Sequence, residues 1–351
     1  MSKLLAFLFL PFSFLYGLGV SIYQVLYFSG ILKAVRFSFP VICIGNLTVG
    51  GTGKSPHVEY FIRLLKDFLE LGVLSRGYKR KTSGFLWVDK SHDALQVGDE
   101  PQQIKNKFRD VPVAVSESRA LGIPRMIREM PDLQLILLDD AFQHLEVKSS
   151  LNILLTEYAR PYSRDFLLPS GRLREWRYGS SRAHVVIVTK CPENLTEDDF
   201  ISFRKELRLH PQQALFFSKI EYGVPYDIFN PEKIFKLNPG LDITLISAIA
   251  QSSYLEDYLN DRVANVNSIN FEDHHYFTEM ELRGLVEKYQ KVSHSNKMIL
   301  TTEKDATRLK LFQTFFQKNQ FDVYAIPIEV KFYNQESFDL YIRNFLLEYK
   351  V

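Results

Sequence analysis

Residues Val41 to Gly45 read VICIG, and Asn46 to Pro56 continue as NLTVGGTGKSP before the helix-like stretch HVEYFIRLLKDFLEL. An apolar run, a glycine-rich turn and an amphipathic stretch predict a strand, a loop and the start of a helix. Such a turn aims several backbone N–H groups and the positive end of a helix at one point, the arrangement that holds a polyphosphate. In this reading Thr48, Val49, Gly50, Gly51, Thr52, Gly53, Lys54 and Ser55 surround the phosphates of ATP. Lys54 reaches the outer phosphates and Ser55 ligates Mg2+. The run departs from the GxxxxGK[ST] pattern at its first position, where Thr48 replaces glycine. A GK[ST] tripeptide alone is common; the strand before it and the helix after it make it a nucleotide site.

A second element strengthens that reading. LQLILLDDAFQH, Leu133 to His144, is an apolar strand ending in the paired carboxylates Asp139 and Asp140. That is the form of the magnesium-anchoring strand of a P-loop enzyme. Alone, it could equally be a strand whose acidic end caps a helix.

The chain has 351 residues, 46% of them hydrophobic and 14% aromatic, which is enough for two cores. Its net charge of +2 provides no general basic field, so nucleic acid is not expected as a partner. Cys43 and Cys191 each lie in or just after an apolar run and have no second cysteine at metal-ligand spacing. Both read as reduced and buried.

The N-terminus differs from the rest: Leu4 to Leu32 carry no charge and are rich in Phe, Leu and Tyr. About 20 apolar residues can cross a bilayer, but Pro11, Gly17 and Gly19 interrupt this stretch, and Ser13, Ser21 and Gln24 add polar positions. No small-residue cleavage site of a signal peptide is evident. A helix lying in the membrane interface is therefore preferred over a span or a core helix. Lys33 and Arg36 follow it and suit anionic headgroups.

Further along, the turn GVLSRGYKRKT carries Arg76, Lys79, Arg80 and Lys81, a basic group suited to an anion. LQVGDEPQQI reads as a loop holding Asp99 and Glu100 that leads into a helix. VPVAVS precedes Arg119, and LNILLTE and HVVIVTK are two further buried strands. This alternation of strand and helix predicts a parallel sheet covered on both faces. Between those two strands, Ala159 to Arg182 carry Arg160, Arg164, Arg172, Arg174, Arg177 and Arg182, a composition suited to an acidic, partly apolar ligand. Thr189 and Lys190 resemble the start of a guanine-reading [NT]KxD turn, but Pro192 occupies the aspartate position, against a GTPase. A second unit is expected beyond about residue 215.

Taken in order, GNLTVGGTGKSP, SRGYKRK, VGDEP, LDDAFQH, LLPSGRLRE, VTK, FEDHH and TTEKDA resemble the tetraacyldisaccharide 4'-kinases of lipid A biosynthesis over residues 45 to 306. Thr48 is normal for that family, whereas proline usually stands where this chain has Arg172. The resemblance implies transfer of the ATP γ-phosphate to the 4'-hydroxyl of an acylated glucosamine disaccharide 1-phosphate, giving lipid IVA. It places the reaction at the cytoplasmic face of the inner membrane, with the protein peripheral on that lipid surface. It implies a P-loop-type parallel sheet with helices on both faces and a smaller C-terminal α/β domain joined by a two-stranded linker. The expected divisions are 1–36, a membrane-interface segment; 37–215, the kinase core; and 216–351, the smaller domain. In that frame Ser55, Asp139 and Glu100 organise Mg2+, and Asp99 takes the sugar hydroxyl proton, oriented by His274. Asp140 serves metal or acceptor, and Arg76, Arg119 and Arg172 are candidate substrate contacts. His57, His144 and His275 read as structural. The competing reading is a P-loop switch or metallochaperone ATPase acting on a protein partner, which needs neither an interfacial helix nor an arginine-rich loop.

Overall fold

The computed structural model describes residues 7–291 and 296–349; Met1 to Ala6 of the expected N-terminal segment lie outside them. Eight strands come first: β1 (Val41–Asn46), β2 (Leu71–Ser75), β3 (Leu86–Trp87), β4 (Val113–Val115), β5 (Leu135–Asp139), β6 (Leu151–Glu157), β7 (Val185–Thr189) and β8 (Ala214–Tyr222). They are followed by β9 (Tyr226–Asp227), β10 (Asp242–Ser247), β11 (Asn265–Asn270), β12 (Lys297–Thr302), β13 (Val323–Ile326) and β14 (Ile328–Phe332). A nine-stranded sheet has the order β14-β8-β7-β6-β1-β5-β2-β4-β3, and a five-stranded sheet the order β11-β10-β12-β13-β9. In the large sheet, neighbours from β8 through β4 run parallel, and β3 and β14 are antiparallel edges. The small sheet is parallel except at its edge strand β9.

Every residue of β1, β2, β5 and β7 is buried, which is why these strands read as unbroken apolar runs. Side chains still alternate between faces: Ile42 and Ile44 pack with Val58 and Phe61 on one side, Val41 and Cys43 with Leu138 and Phe142 on the other. Cys191 is buried too, and both cysteines are free thiols.

The boundary expected at 215/216 does not divide the sheets. β8 and β14 pair antiparallel at the edge of the large sheet, and the last helix, Gln335–Glu348, packs Phe338 and Ile342 into the large sheet's core. The smaller sheet is thus built from the segment between β8 and β14, with that antiparallel pair leading into and out of it. The stretch from Phe321 to Phe332 is split at Pro327, which has no N–H for a ladder, and β13 and β14 on either side of it join different sheets.

The helix Leu10–Phe28 lies on the surface with Ser13, Gly17 and Gln24 turned inward. Phe14 and Leu15, each 63% exposed, and Ile22, 53%, face outward with Phe12 and Val25. Pro11 begins the helix rather than interrupting it, because the first turn needs no N–H donor there.

Candidate active site

The turn after β1 folds as a phosphate cradle. Gly50 and Gly53 adopt φ of 105° and 86°, a region open to glycine, and Gly53 stands at the N-terminus of the helix Lys54–Leu65. Asn46 holds the loop from beneath, donating to Thr52 Oγ1 at 2.8 Å. The Val49 N–H donates to the Arg172 carbonyl at 2.7 Å. Behind the loop, His57 is fully buried between the Gly53 carbonyl and Ser218, and burial pushes its pKa down to about 4. This is the structural role read from the sequence.

Asp139 ends β5 and Asp140 follows it, both beside this loop, but they meet different environments. Asp139 is buried, accepts from Ser75 Oγ at 3.2 Å, and its Oδ1 has no partner. Burial first, then the charges of Asp140 and Glu100, push its pKa up to about 7. Asp140, at φ 46°, lies 2.8 Å from Arg174 and 3.7 Å from Lys54. Burial opposes its charge, but Lys54 and Arg174 outweigh that and hold its carboxyl well below the usual range. The orphaned Oδ1 makes Asp139, which lines the cavity described below, a candidate donor to a divalent cation. Among the described residues, the ligand atoms of Asp99, Glu100 and His274 lie within 4.8 Å of one another.

The third part comes from both sheets. Asp99 opens the helix Asp99–Lys107, preceded by Gly98 at φ 96°, so it belongs to the helix's first turn rather than to a loop. His274 follows β11, at φ 63°. Its Nδ1 lies 2.8 Å from Asp99 Oδ2, and its Nε2 lies 3.1 Å from Lys304 Nζ. An ammonium can only donate, so Nε2 carries the lone pair and Nδ1–H donates to Asp99. Lys304 also reaches Glu100 and Asp273, at 3.1 and 3.2 Å. Burial works against its charge, yet those two carboxylates hold its pKa above the ordinary lysine value.

One cavity of about 1150 Å³ joins these parts. Its walls include Tyr16, Val20 and Tyr23 of the N-terminal helix, the phosphate loop, Arg76, Asp139, Asp140, Arg174, His274 and Lys304. Asp99, 2% exposed, does not line it. The His274 imidazole stands at the cavity wall, with the Asp99 carboxylate behind it.

Among the three arginines expected at the substrate, Arg76 lines the cavity. Arg119 does not: it is fully buried and donates to the carbonyls of Ser116 and Asp139, at 2.9 and 3.2 Å, supporting the end of β5. Arg172 pairs with Asp165 at 3.0 Å and Glu157 at 3.4 Å, so its charge is already met and its backbone anchors the loop. Arg174, two residues on, lines the cavity, bridging Asp140 to the carbonyl of Asn46 and also reaching that residue's side chain. His144 lines the cavity, its pKa pushed down to about 4 by burial and by Arg119 and Arg76. His275 stacks on Phe271 and bonds Glu281, a structural position.

A sequence profile described as Tetraacyldisaccharide-1-P 4'-kinase (LpxK) matches residues 5–347. The chain belongs to the tetraacyldisaccharide 4'-kinase family. Its relatives there include a Bacteroides fragilis tetraacyldisaccharide 4'-kinase, 43% identical over 96% of this chain and 92% of that one. A Flavobacterium johnsoniae member is 42% identical, over 96% of each chain. Among solved structures, LpxK from Aquifex aeolicus in complex with ATP aligns with a TM-score of 0.72 at 26% identity, covering 97% of this chain and 99% of that one. Family membership leaves no ground for the switch or metallochaperone alternative.

Proposed function

We propose that the chain transfers the γ-phosphate of ATP to the 4'-hydroxyl of an acylated glucosamine disaccharide 1-phosphate. The observation that carries this reading is the cavity on which the phosphate cradle, the His274 imidazole backed by Asp99, and the apolar N-terminal helix all open. Phosphoryl transfer asks for positioning and charge neutralisation more than for covalent chemistry.

Lys54 and the N–H groups from Gly50 to Ser55 hold the outer phosphates. Asp140 sets Lys54 and Arg174 side by side at the cavity wall. Ser55, Asp139 and Glu100 would hold Mg2+, which when bound supplies charge neutralisation to the phosphates. The acceptor hydroxyl takes the position of the Lys304 ammonium at His274 Nε2. Its proton passes to that nitrogen as the oxygen bonds to the γ-phosphorus and the bond from that phosphorus to the β,γ-bridging oxygen breaks, ADP leaving with the electron pair, while Asp99 holds Nδ1–H and stabilises the imidazolium. Lys304, displaced from Nε2, is left within reach of the transferring phosphate. Arg76 is the cavity's candidate for an acidic group of the acceptor.

The helix Leu10–Phe28 is the candidate membrane contact. Its polar positions face the protein: Ser13 Oγ donates to the Leu167 carbonyl at 3.0 Å, Tyr16 OH to the Arg174 carbonyl at 2.8 Å, and Gln24 bonds Glu175. The apolar face is left outward beside the cavity, which suits a peripheral protein on the cytoplasmic face of the inner membrane drawing its acceptor from the lipid layer. The test is transfer of labelled γ-phosphate from ATP with lipid disaccharide 1-phosphate, free glucosamine or water as acceptor. Label must appear on the lipid; equal label release as inorganic phosphate with and without lipid would remove the reading.

A further inference from the structure

The helix Glu303–Leu309 of the small sheet's unit packs against the helix Asp99–Lys107 of the large one, and its last turn buries Arg308 completely. A buried guanidinium must have every polar edge met or it destabilises the fold. Here Nη2 donates to Asp305 Oδ1 at 2.6 Å and approaches the Ala248 carbonyl at 3.4 Å, and Nη1 donates to the His275 carbonyl at 2.6 Å. Asp305 is itself fixed, accepting from the Ala248 N–H and Thr302 Oγ1. The Ala248 carbonyl accepts the backbone N–H of His274 at 3.2 Å. The terminal nitrogens therefore grip the backbone on both sides of the catalytic imidazole.

The remaining edge behaves differently. Nε has no hydrogen-bond partner, and it lies 3.5 Å from Asp99 Oδ2, the oxygen that receives His274 Nδ1–H. That distance exceeds an N–H···O bond by about 0.5 Å. Asp305 alone would satisfy the charge of Arg308 within its own unit, so the edge turned to Asp99 is not needed for local neutrality.

We propose that Arg308 is a positioning residue for phosphoryl transfer. It seats the Asp99 carboxylate with Nε and the backbone around His274 with its other two nitrogens. The pair then has its working geometry only while the helices Asp99–Lys107 and Glu303–Leu309 are in contact, and a small approach of the two units completes the Nε–H···Oδ2 bond. This inference rests on the role given to Asp99 and His274 above.

The test uses the full chain in detergent micelles. Arg308→Lys keeps the charge but cannot hold three groups at once. It should lower kcat about 10-fold or more, a share of the roughly 10² to 10⁴ that a general base contributes, with KM for ATP within about twofold. Unchanged kcat in Arg308→Lys overturns the inference. Because this variant could also fail to fold, a second measurement leaves Arg308 intact: the Nε–H signal of Arg308 in protein labelled with 15N-arginine, compared between wild type and Asp99→Asn. A shift is expected, and a signal that does not move in an Asp99→Asn protein with depressed kcat overturns this inference alone. Full kcat in Asp99→Asn overturns the dyad reading and this inference with it.

Discussion

His274 Nδ1 lies 2.8 Å from Asp99 Oδ2, a bond between residues 175 positions apart, one in the first turn of the helix Asp99–Lys107 and the other in the segment after β11. No local turn could form it; the antiparallel link through β8 and β14 has to carry one unit back onto the other. The proposed catalytic pair thus depends on tertiary assembly, whereas the residues of the phosphate loop all lie in the segment from Asn46 to Ser55, held from outside by the Arg172 carbonyl and Thr189. Each half of the site can be perturbed separately.

Lys54→Ala should abolish transfer while leaving the thermal midpoint within a degree or two. Lys54 is a partly exposed side chain whose protein contacts are Asp140 at 3.7 Å and Asn46 Oδ1 at 3.4 Å, so little folding energy goes with it. Thermal shift by ATP should be lost in the same variant. Turnover at the wild-type rate would contradict the cradle.

The cradle, the buried strands and the acidic end of β5 were legible because each is local: a run of apolar residues, glycines at fixed offsets, two carboxylates in a row. Residues whose roles come from long-range packing were not. Arg119 looks like a loop arginine until β5 is laid over it. Arg172 and Arg174 are indistinguishable in LLPSGRLRE, since the strand-like alternation that turns one toward Asp165 and the other toward Asp140 depends on the bridges at Leu173. Lys304 and Arg308 were missed, although their spacing of four on a helix capped by Thr302 places them on one face. The polar positions Ser13, Ser21 and Gln24 have partners the sequence could not show: they dock on the loop that holds Ser170, Glu175 and Trp176.

Asp139→Asn should stabilise the protein in EDTA above neutral pH. A carboxyl whose native pKa is raised to about 7 binds its proton more tightly folded than unfolded, so stability present at acid pH is lost as pH rises from about 4 to about 7. Asparagine removes that loss. Urea midpoints in EDTA at pH 5 and pH 8 should converge in the variant and differ in wild type. With Mg2+ and ATP the variant should be inactive, since it lacks the anionic ligand.

Lys107→Met should destabilise the folded chain by about 3 kcal/mol or more, the cost of leaving buried charge unpaired. Lys107 Nζ lies 2.7 Å from Glu59 and 2.6 Å from Glu303, across the contact between the two units, and both carboxylates are buried. Without the ammonium they repel. Chemical denaturation of the full chain checks this, and a loss below about 1 kcal/mol would show that Glu303 swings to solvent.

Leu15→Glu with Ile22→Glu should weaken sedimentation with anionic lipid vesicles without lowering the thermal midpoint, because both side chains are outward. Gly17→Val should do the opposite damage. A Cβ at Gly17 would stand 2.5 Å from the Trp176 ring, so the helix must lift from its seat and the midpoint should fall. Unchanged vesicle binding in the first variant would remove the helix as the membrane contact.

The most direct test of the account is a double-mutant cycle on the catalytic pair, read as single-turnover transfer of labelled γ-phosphate to the lipid disaccharide 1-phosphate at saturating ATP. Asp99→Ala and His274→Ala should each slow transfer by about 10² to 10⁴. Residues acting as one unit are strongly non-additive. The double variant should therefore be hardly slower than the worse single one, with ATP affinity near wild type in all three. Losses that multiply, or an Asp99→Ala protein whose defect is in ATP binding rather than transfer, would contradict the shared proton-accepting role of Asp99 and His274.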